Sequence, residues 1–479
     1  MRLVDPGSAF PEIQLERLNS READSDADFV LTFVPPDRLA ELAIVPPLGI
    51  WWFRFGGVDY GNGQLAFSAA IASDLATLQL ELLAEMPEGS RTWILSQNVL
   101  KRRRSHRANL ESLSEAGPSL CLNACRRMRL DGRDLEAKAS TGVGASPLPM
   151  WKLIVSEAQI NVRKILSRLF FADIWSIGII DLPIDKILQG APVPEPQWLD
   201  PPKTGRFHAD PFPLSIKGQG FLLFEVYDDL IGRGWIAIAN ISDLGKTALA
   251  DAPQVMRADC HMSYPFVFEY GGETFCVPEM SERGGLNFYK LCETDRELRF
   301  VTSIMENVPL IDPTLFIHEG RWWLFATLQG GRSDTDLHAW FADDPFGSWT
   351  PHPLNPVKSD VRSARPAGAV FKANGKLYRP AQDCTNGYGD AVVINHVTHL
   401  SPVDFKEAEV TRVEPCVDWQ WSDGLHTFNC WKGQIVIDAK RRKFKLPWLS
   451  GRTGFGFRER VSNGLFTLRS IASRRKIHS

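Results

Sequence analysis

The hydrophobic pattern of this chain changes period several times. From Asp28, FVLTFVPP and LGIWWFRFGG (Leu48 to Gly57) read as two buried strands bounded by turn residues. SAAIASDLATLQLELLAEM, from Ser68 to Met86, then carries apolar residues at helical spacing and predicts a helix. Strand, loop, strand and helix predict a small α/β domain over residues 28–140. DGRDLEAKASTGVGASPLPM (131–150) reads as linker, and WKLIVSEAQINVRKILSRLFF (151–171) as an amphipathic helix packed on a domain edge, so linker and helix fill 141–172. At Asp173 the text turns to strands. DIWSIGI (173–179) is placed to close a ring by pairing with its last blade, which removes open edges.

The pattern then repeats. HADPFPLSIKGQGFLLFE, from His208 to Glu225, is a polar turn, a strand, a Gly-marked hairpin and a second strand. It returns from Ser263 (SYPFVFEYGGETFCVPE) and from Ile311 (IDPTLFIHEGRWWLFAT), then more weakly from Arg365 and from Gly424. A further strand follows the first four copies, as in GWIAIAN, GLNFYKLC, LHAWFA and AVVINHV. Five copies about 50 residues apart predict a mainly β chain, a five-bladed β-propeller over 173–460 behind the small N-terminal α/β domain. The first strand of a blade lines the axis. Asp210, Tyr264, Asp312, Arg365 and His426 are therefore expected to converge on one funnel.

That set has chemical sense. Two aspartates near one axis repel, which splits their proton affinities into acid and base roles. Arg365 suits the holding of a carboxylate or phosphate. Glu225, Glu279, Asp383 and Asp438 end or nearly end the second strands, so acidic groups recur there. The plainer alternative is that an Asp before Pro starts a turn and caps backbone amides.

Composition narrows the classes. The 479 residues are 44% hydrophobic and 23% charged with a net charge of −3, which gives nucleic acid or an anionic membrane no electrostatic case as the main partner. Fifteen tryptophans fit either sugar-lined clefts or blade packing. The eight cysteines have no CxxC spacing, so no zinc site is expected. The many carboxylates leave room for a divalent ion near the axis, but no ligand spacing supports a specific metal, and no cofactor is expected. The N-terminus lacks a signal-peptide profile and no run is long enough to span a bilayer, so a cytoplasmic protein with reduced thiols and no transmembrane segment is expected. KRRRSHR (101–107) is the densest basic run, a phosphate grip or a solvated face.

HADPF, SYPFVFEYGGETFCVPE, IDPTLF, FGSWTPHPLNPV, ARPAG, LYRPAQDC and YGDAVVI resemble the N-terminal propeller domain of the plant glucosamine inositolphosphorylceramide transferases and its bacterial relatives. Bacterial members carry a formyltransferase-like segment in front, matching 28–140. Where that fold has Asn-x-His-Pro-Ser, this chain has Trp52-Phe53-Arg54-Phe55-Gly56, which implies a degenerate, non-catalytic unit. The wider clan is similar to glycoside hydrolase families 43 and 32. By that resemblance Asp210 is the base or nucleophile, and Asp312 orients substrate and tunes proton affinity. The expected fourth-blade Glu is replaced by Ser363-Ala364-Arg365-Pro366, leaving Glu279 as the candidate acid. Tyr264, Arg365, Asp383 and His426 are then the expected substrate-binding residues. In the plant enzymes transfer belongs to a separate C-terminal domain, for which too few residues follow Arg442.

The expected function is a carbohydrate-active propeller that binds a sugar or glycoconjugate in its axial funnel and acts as a glycoside hydrolase. The alternative is a non-catalytic glycan-binding or scaffolding domain serving a partner glycosyltransferase. A third reading is formyl or acyl transfer by the N-terminal unit.

Overall fold

The computed structural model describes residues 2–3, 13–14, 28–32, 46–55, 58–59, 76–85, 92–103, 105–130, 150–199, 205–243, 249 and 252–444. Residues 131–149 of the linker expected at 131–150, and 445–460 at the end of the expected propeller, lie outside the described residues.

The N-terminal unit is a sheet in the order Val30–Thr32, Ile50–Phe55, Thr77–Glu85, Thr92–Lys101, with the first pair parallel and the others antiparallel. The helix His106–Leu130 lies against it and shares its core through Leu113, Leu120 and Ala124 with Trp51, Leu80 and Leu82. Thr77–Glu85 corrects the sequence reading, which made this stretch helical. Leu78, Leu80, Leu82 and Ala84 recur every second residue and are buried, while Gln79 is exposed. That period of two lets one face meet the core, and pairing with strands on both sides overrides the helical propensity of Leu, Glu and Ala.

The helix expected at 151–171 runs Met150–Phe170. Trp151, Val162 and Ile165 on it are more than half exposed.

Five antiparallel sheets follow, one opening on each repeat. The first holds Arg206–Ile216, Gln219–Asp228, Arg233–Asn240 and Gln254–Met256. The second runs from Ser263–Tyr270 to Leu298–Ile304, the third starts at Leu310–His318, and the fourth runs from Phe371–Ala373 to Phe405–Val413. The fifth joins both ends of the ring: Leu425–Trp431 and Gln434–Phe444 pair onward with Phe171–Ile180 and Gln197–Trp198. Phe171–Ile180 thus closes the ring in the manner the sequence predicts.

Each repeat begins with a two-residue hairpin whose residues both have positive φ: Lys217-Gly218, Gly271-Gly272, Glu319-Gly320, Asn374-Gly375 and Lys432-Gly433. Such primed turns match the right-handed twist of paired strands, and Gly at the second position adopts them without a Cβ penalty. The apolar cores lie between neighbouring sheets. One joins Leu222 and Cys276 to Ile177 and Val436 of the fifth sheet; the others join the second sheet to the third, the third to the fourth and the fourth to the fifth. The chain is therefore a β-propeller, each blade held by the faces of the next.

The N-terminal unit meets the ring at the third and fourth blades. Val99 bridges Asp360, Val361 N–H donates to Val99 O at 2.9 Å, and Asn123 Nδ2 donates to Pro356 O at 3.2 Å.

Candidate functional site

The first strands of blades one, two and three share one backbone device. Asp210, Tyr264 and Asp312, each followed by proline, have φ of 51°, 43° and 51° and sit at register shifts in their hairpins. A side chain in left-handed conformation costs roughly 1–2 kcal/mol. A carboxyl oxygen accepting the backbone amide offsets it in each case. Asp210 N–H donates to Asp438 Oδ2 at 2.8 Å, Tyr264 N–H to Asp210 Oδ2 at 3.0 Å, and Asp312 N–H to Glu279 Oε2 at 3.2 Å. In every case the acceptor comes from the preceding blade, so acidic side chains stitch the ring together around its axis. The bulge turns Asp210, Tyr264 and Asp312 out of the strand alternation and into this network.

Around Asp210 the network is dense. Its Oδ1 accepts from Thr427 Oγ1 at 2.8 Å and lies 3.1 Å from His426 Nε2. His426 Nδ1 is 2.8 Å from Asp438 Oδ1, and Asp438 also accepts from the amides of His426 and Thr427. Burial pushes the His426 imidazole down, but Asp438 and Asp210 outweigh it and lift it to about 10, so the ring is an imidazolium between two carboxylates. Burial likewise pushes Asp210 up, yet the His426 charge and the bonds from His426, Thr427 and Tyr264 hold it below the ordinary carboxylate range. Asp210, His426 and Asp438 bring three potential metal-ligand atoms within 4.8 Å of one another. A cation there would have to compete with the His426 ring, whose Nε2 faces Asp210 and whose Nδ1 faces Asp438.

The two glutamates behave oppositely. Burial, then the Asp210 charge, drives Glu225 well above the usual range; burial, then Asp312, does the same to Glu279. Both are nearly closed off, 5% and 8% exposed. One cluster therefore holds Asp210, shifted toward its ionised form, beside carboxyls shifted toward their protonated form, the direction of separation an acid–base pair needs.

Arg365 governs the next sector. Its Nε lies 2.6 Å from Asp312 Oδ2 and its Nη1 3.3 Å from Asp334 Oδ1, and Gln382 Nε2 donates to the same Asp312 oxygen at 3.0 Å. Lys101 of the N-terminal unit reaches Asp334 at 3.7 Å. The Arg365 guanidinium lies 4.7 Å from the centre of the Tyr388 ring, and Tyr388 is 40% exposed. His426 packs between Trp175 at 4.1 Å and Tyr388 at 5.0 Å, ring centre to ring centre. Arg379, almost wholly buried, donates to Ser363 O at 2.6 Å and Ala364 O at 3.1 Å while pairing with Glu407, and so fixes the segment that carries Arg365.

Of the residues expected from sequence, Asp210, Glu279, Asp312, Arg365 and His426 lie in this network. Tyr264 joins it through its backbone amide, which donates to Asp210 Oδ2. Its ring is fully buried and its hydroxyl is 2.8 Å both from Thr314 Oγ1 and from the Gly368 amide, tying blade two to blades three and four. Asp383 accepts from Arg412 and from the Thr385 amide. Sequence reasoning gave no site role to Gln382, Thr427, Tyr388 or Arg379. For Tyr388 a signal existed in the YGD text beside a glycine, a turn able to carry an exposed ring. In the N-terminal unit, Arg54 points into a buried ion pair with Glu81 at 2.6 Å, where the formyltransferase comparison looked for catalytic groups.

Comparison with known proteins agrees on the class. The chain is 35% identical over 216 residues to glucosamine inositolphosphorylceramide transferase 1 of Arabidopsis thaliana, covering 43% of this chain and 27% of that protein. The enzyme of the same name from Oryza sativa subsp. japonica gives 35% identity over 216 residues, 43% of this chain and 28% of that protein. The match thus spans about a quarter of these curated relatives. Among solved structures, a thermostable family-43 glycoside hydrolase is similar at 14% identity and TM-score 0.34, covering 42% of this chain and 75% of its own. The α-L-arabinofuranosidase PaAbf62A from Podospora anserina gives 10% identity and TM-score 0.38, with coverages of 49% and 90%. Those likenesses are loose, and the propeller assignment stands on sheet order and ring closure. The family model described as glucosamine inositolphosphorylceramide transferase 1, N-terminal, matches residues 198–440, just over half of the chain, and the chain belongs to that family.

Proposed function

We propose that the chain binds a sugar or glycoconjugate at the axial cluster and that this site cleaves a glycosidic bond. The observation that carries the reading is the convergence of side chains from five separate repeats on one linked network, with the Tyr388 ring exposed beside Arg365. Carboxylates that hydrogen-bond hydroxyls, next to an exposed aromatic face, suit a sugar's polar edge and apolar ring face. Asp210 is the base or nucleophile and Glu279 the protonated acid. Asp312 orients substrate, and Arg365, Asp383 and His426 bind it or hold its partners. Tyr264 supports the site through its backbone amide.

One observation favours a second reading, a non-catalytic glycan-binding or scaffolding domain beside a glycosyltransferase. Both Asp210 oxygens and Asp312 Oδ2 already accept from protein donors. A base needs a free lone pair; a scaffold does not. The N-terminal unit is read as structural, with Arg54 held by Glu81.

The test is the purified protein on glycan and aryl-glycoside panels, scored for binding and for release. Release that disappears in Asp210→Asn supports hydrolysis. Binding without release selects the second reading, and neither binding nor release removes both.

A further inference from the structure

Among the described residues, the helix Met150–Phe170 turns an apolar stripe to solvent and contributes none to the cores of the ring. Trp151, Val155, Val162, Ile165, Leu166 and Leu169 are exposed by 45% to 62%. At one residue per 100° these positions fall within a sector of about 100° on one helix face. The stripe continues past the helix. Phe171 meets Phe444 edge-on at 5.7 Å, Phe170 stacks on Phe444 at 6.1 Å, and Phe444 is itself 56% exposed. A contiguous apolar surface of this kind on a soluble face marks an interaction site.

The charges around it have one predominant sign. The helix carries Lys152, Arg163, Lys164 and Arg168 against Glu157 alone. Next to its end, the strand Gln434–Phe444 contributes exposed Arg441, Arg442 and Lys443, with Asp173 facing Arg442 at 3.5 Å. The chain as a whole is slightly acidic, with a net charge of −3, so this basic concentration is local. No helix among the described residues is long and apolar enough to cross a membrane.

We propose that this face rests on an anionic lipid surface, with the helix axis in the membrane plane. A Trp- and Leu-bearing stripe on a helix rich in Lys and Arg fits the interfacial layer, where apolar side chains enter the acyl boundary and cations meet acidic headgroups. The basic residues of the strand Gln434–Phe444 extend the contact beyond the helix and set the ring on the membrane at the edge of its fifth blade.

The experiment is co-sedimentation of the full chain with vesicles of phosphatidylcholine alone and of an equimolar phosphatidylcholine–phosphatidylserine mixture. Binding to the mixed vesicles is expected, weakened at least about tenfold when salt is raised toward 1 M. Ile165→Asp with Leu169→Asp abolishes it, and Lys164→Glu with Arg168→Glu removes the preference for phosphatidylserine. Ile165 and Leu169 are exposed, so the first variant keeps the wild-type melting temperature. Equal binding to both vesicle types, or unchanged binding of the Asp variant, overturns the proposal. So does light scattering that finds a dimer dissociated by Ile165→Asp, since a second copy then covers the stripe.

Discussion

Arg365 and Asp312 form an ion pair across two blades, Nε to Oδ2 at 2.6 Å, with 11% and 4% of their side chains exposed. The pair occupies the sector where the resemblance to sugar-cleaving propellers called for a glutamic acid. A guanidinium there is a permanent cation rather than a proton donor, and Asp312 is its counter-ion. Removing one partner of a buried pair leaves an uncompensated charge, so Arg365→Met should destabilise the fold by about 3 kcal/mol or more. Arg365→Met combined with Asp312→Leu should recover much of the loss. Urea denaturation of the two single variants and the double variant measures the coupling, and strict additivity would show that the pair does no structural work.

The imidazolium of His426 gives stability a pH dependence of defined sign. Its folded value of about 10 exceeds the ordinary 6.5, so its contribution is complete below 6.5 and is lost as pH rises through 10. Glu225 and Glu279, raised by burial, act in the same direction above the ordinary carboxyl range. Asp210 and Glu407 act in the opposite direction. Burial pushes Glu407 up, but Arg379 and Lys358 outweigh it and bring it down to about 2, so its contribution holds above 4.5 and is lost as pH falls toward 2. Melting temperatures from pH 6 to 10 should fall for the wild type and fall less steeply for His426→Asn. Parallel curves would mean that His426 is not protonated in the fold.

Tyr264 and Gly368 test the centre of the ring. Tyr264→Phe orphans the Gly368 amide and leaves Thr314 Oγ1 with its bond to Asp312 O alone, at a cost of about 1–3 kcal/mol. Gly368→Ala should cost more, because its φ is 130° and a Cβ there would lie 2.2 Å from Phe428 O. Differential scanning calorimetry should rank Gly368→Ala below Tyr264→Phe, and the reverse order would contradict the close approach.

Arg379 is a positioning residue for Arg365 through the carbonyls of Ser363 and Ala364. Arg379→Met should weaken glycan binding even with its melting temperature restored by a stabilising second change, and Arg379→Lys should restore binding only in part. A loss of stability with unchanged affinity of the folded fraction would limit Arg379 to packing.

What the sequence made legible follows from local chemistry. The ring was readable because a two-residue turn needs glycine at a fixed place, and Gly218, Gly272, Gly320, Gly375 and Gly433 mark the same step of five hairpins. Asp210 and Asp312 were readable for a related reason, since each stands before a proline at one register. The role of Asp438 was not. It lies on a second strand and meets Asp210 only across the closed ring, 228 residues away in sequence. The strand Thr77–Glu85 was misread because Leu, Glu and Ala favour helices, and only its neighbouring strands reveal the period of two. The two readings of an Asp-Pro step, cap or catalyst, are not exclusive: Asp210 caps the Tyr264 amide while standing in the candidate site.

The fifth sheet has a consequence for how the site comes into being. Its two innermost strands, Leu425–Trp431 and Gln434–Phe444, leave the ribosome last of the ring, and they must find Phe171–Ile180, made some 250 residues earlier. His426 and Asp438 travel on those late strands. A nascent or truncated ring therefore holds Asp210 without its cation and without the acceptor of its strained amide, and the cluster comes into existence in a single act of closure.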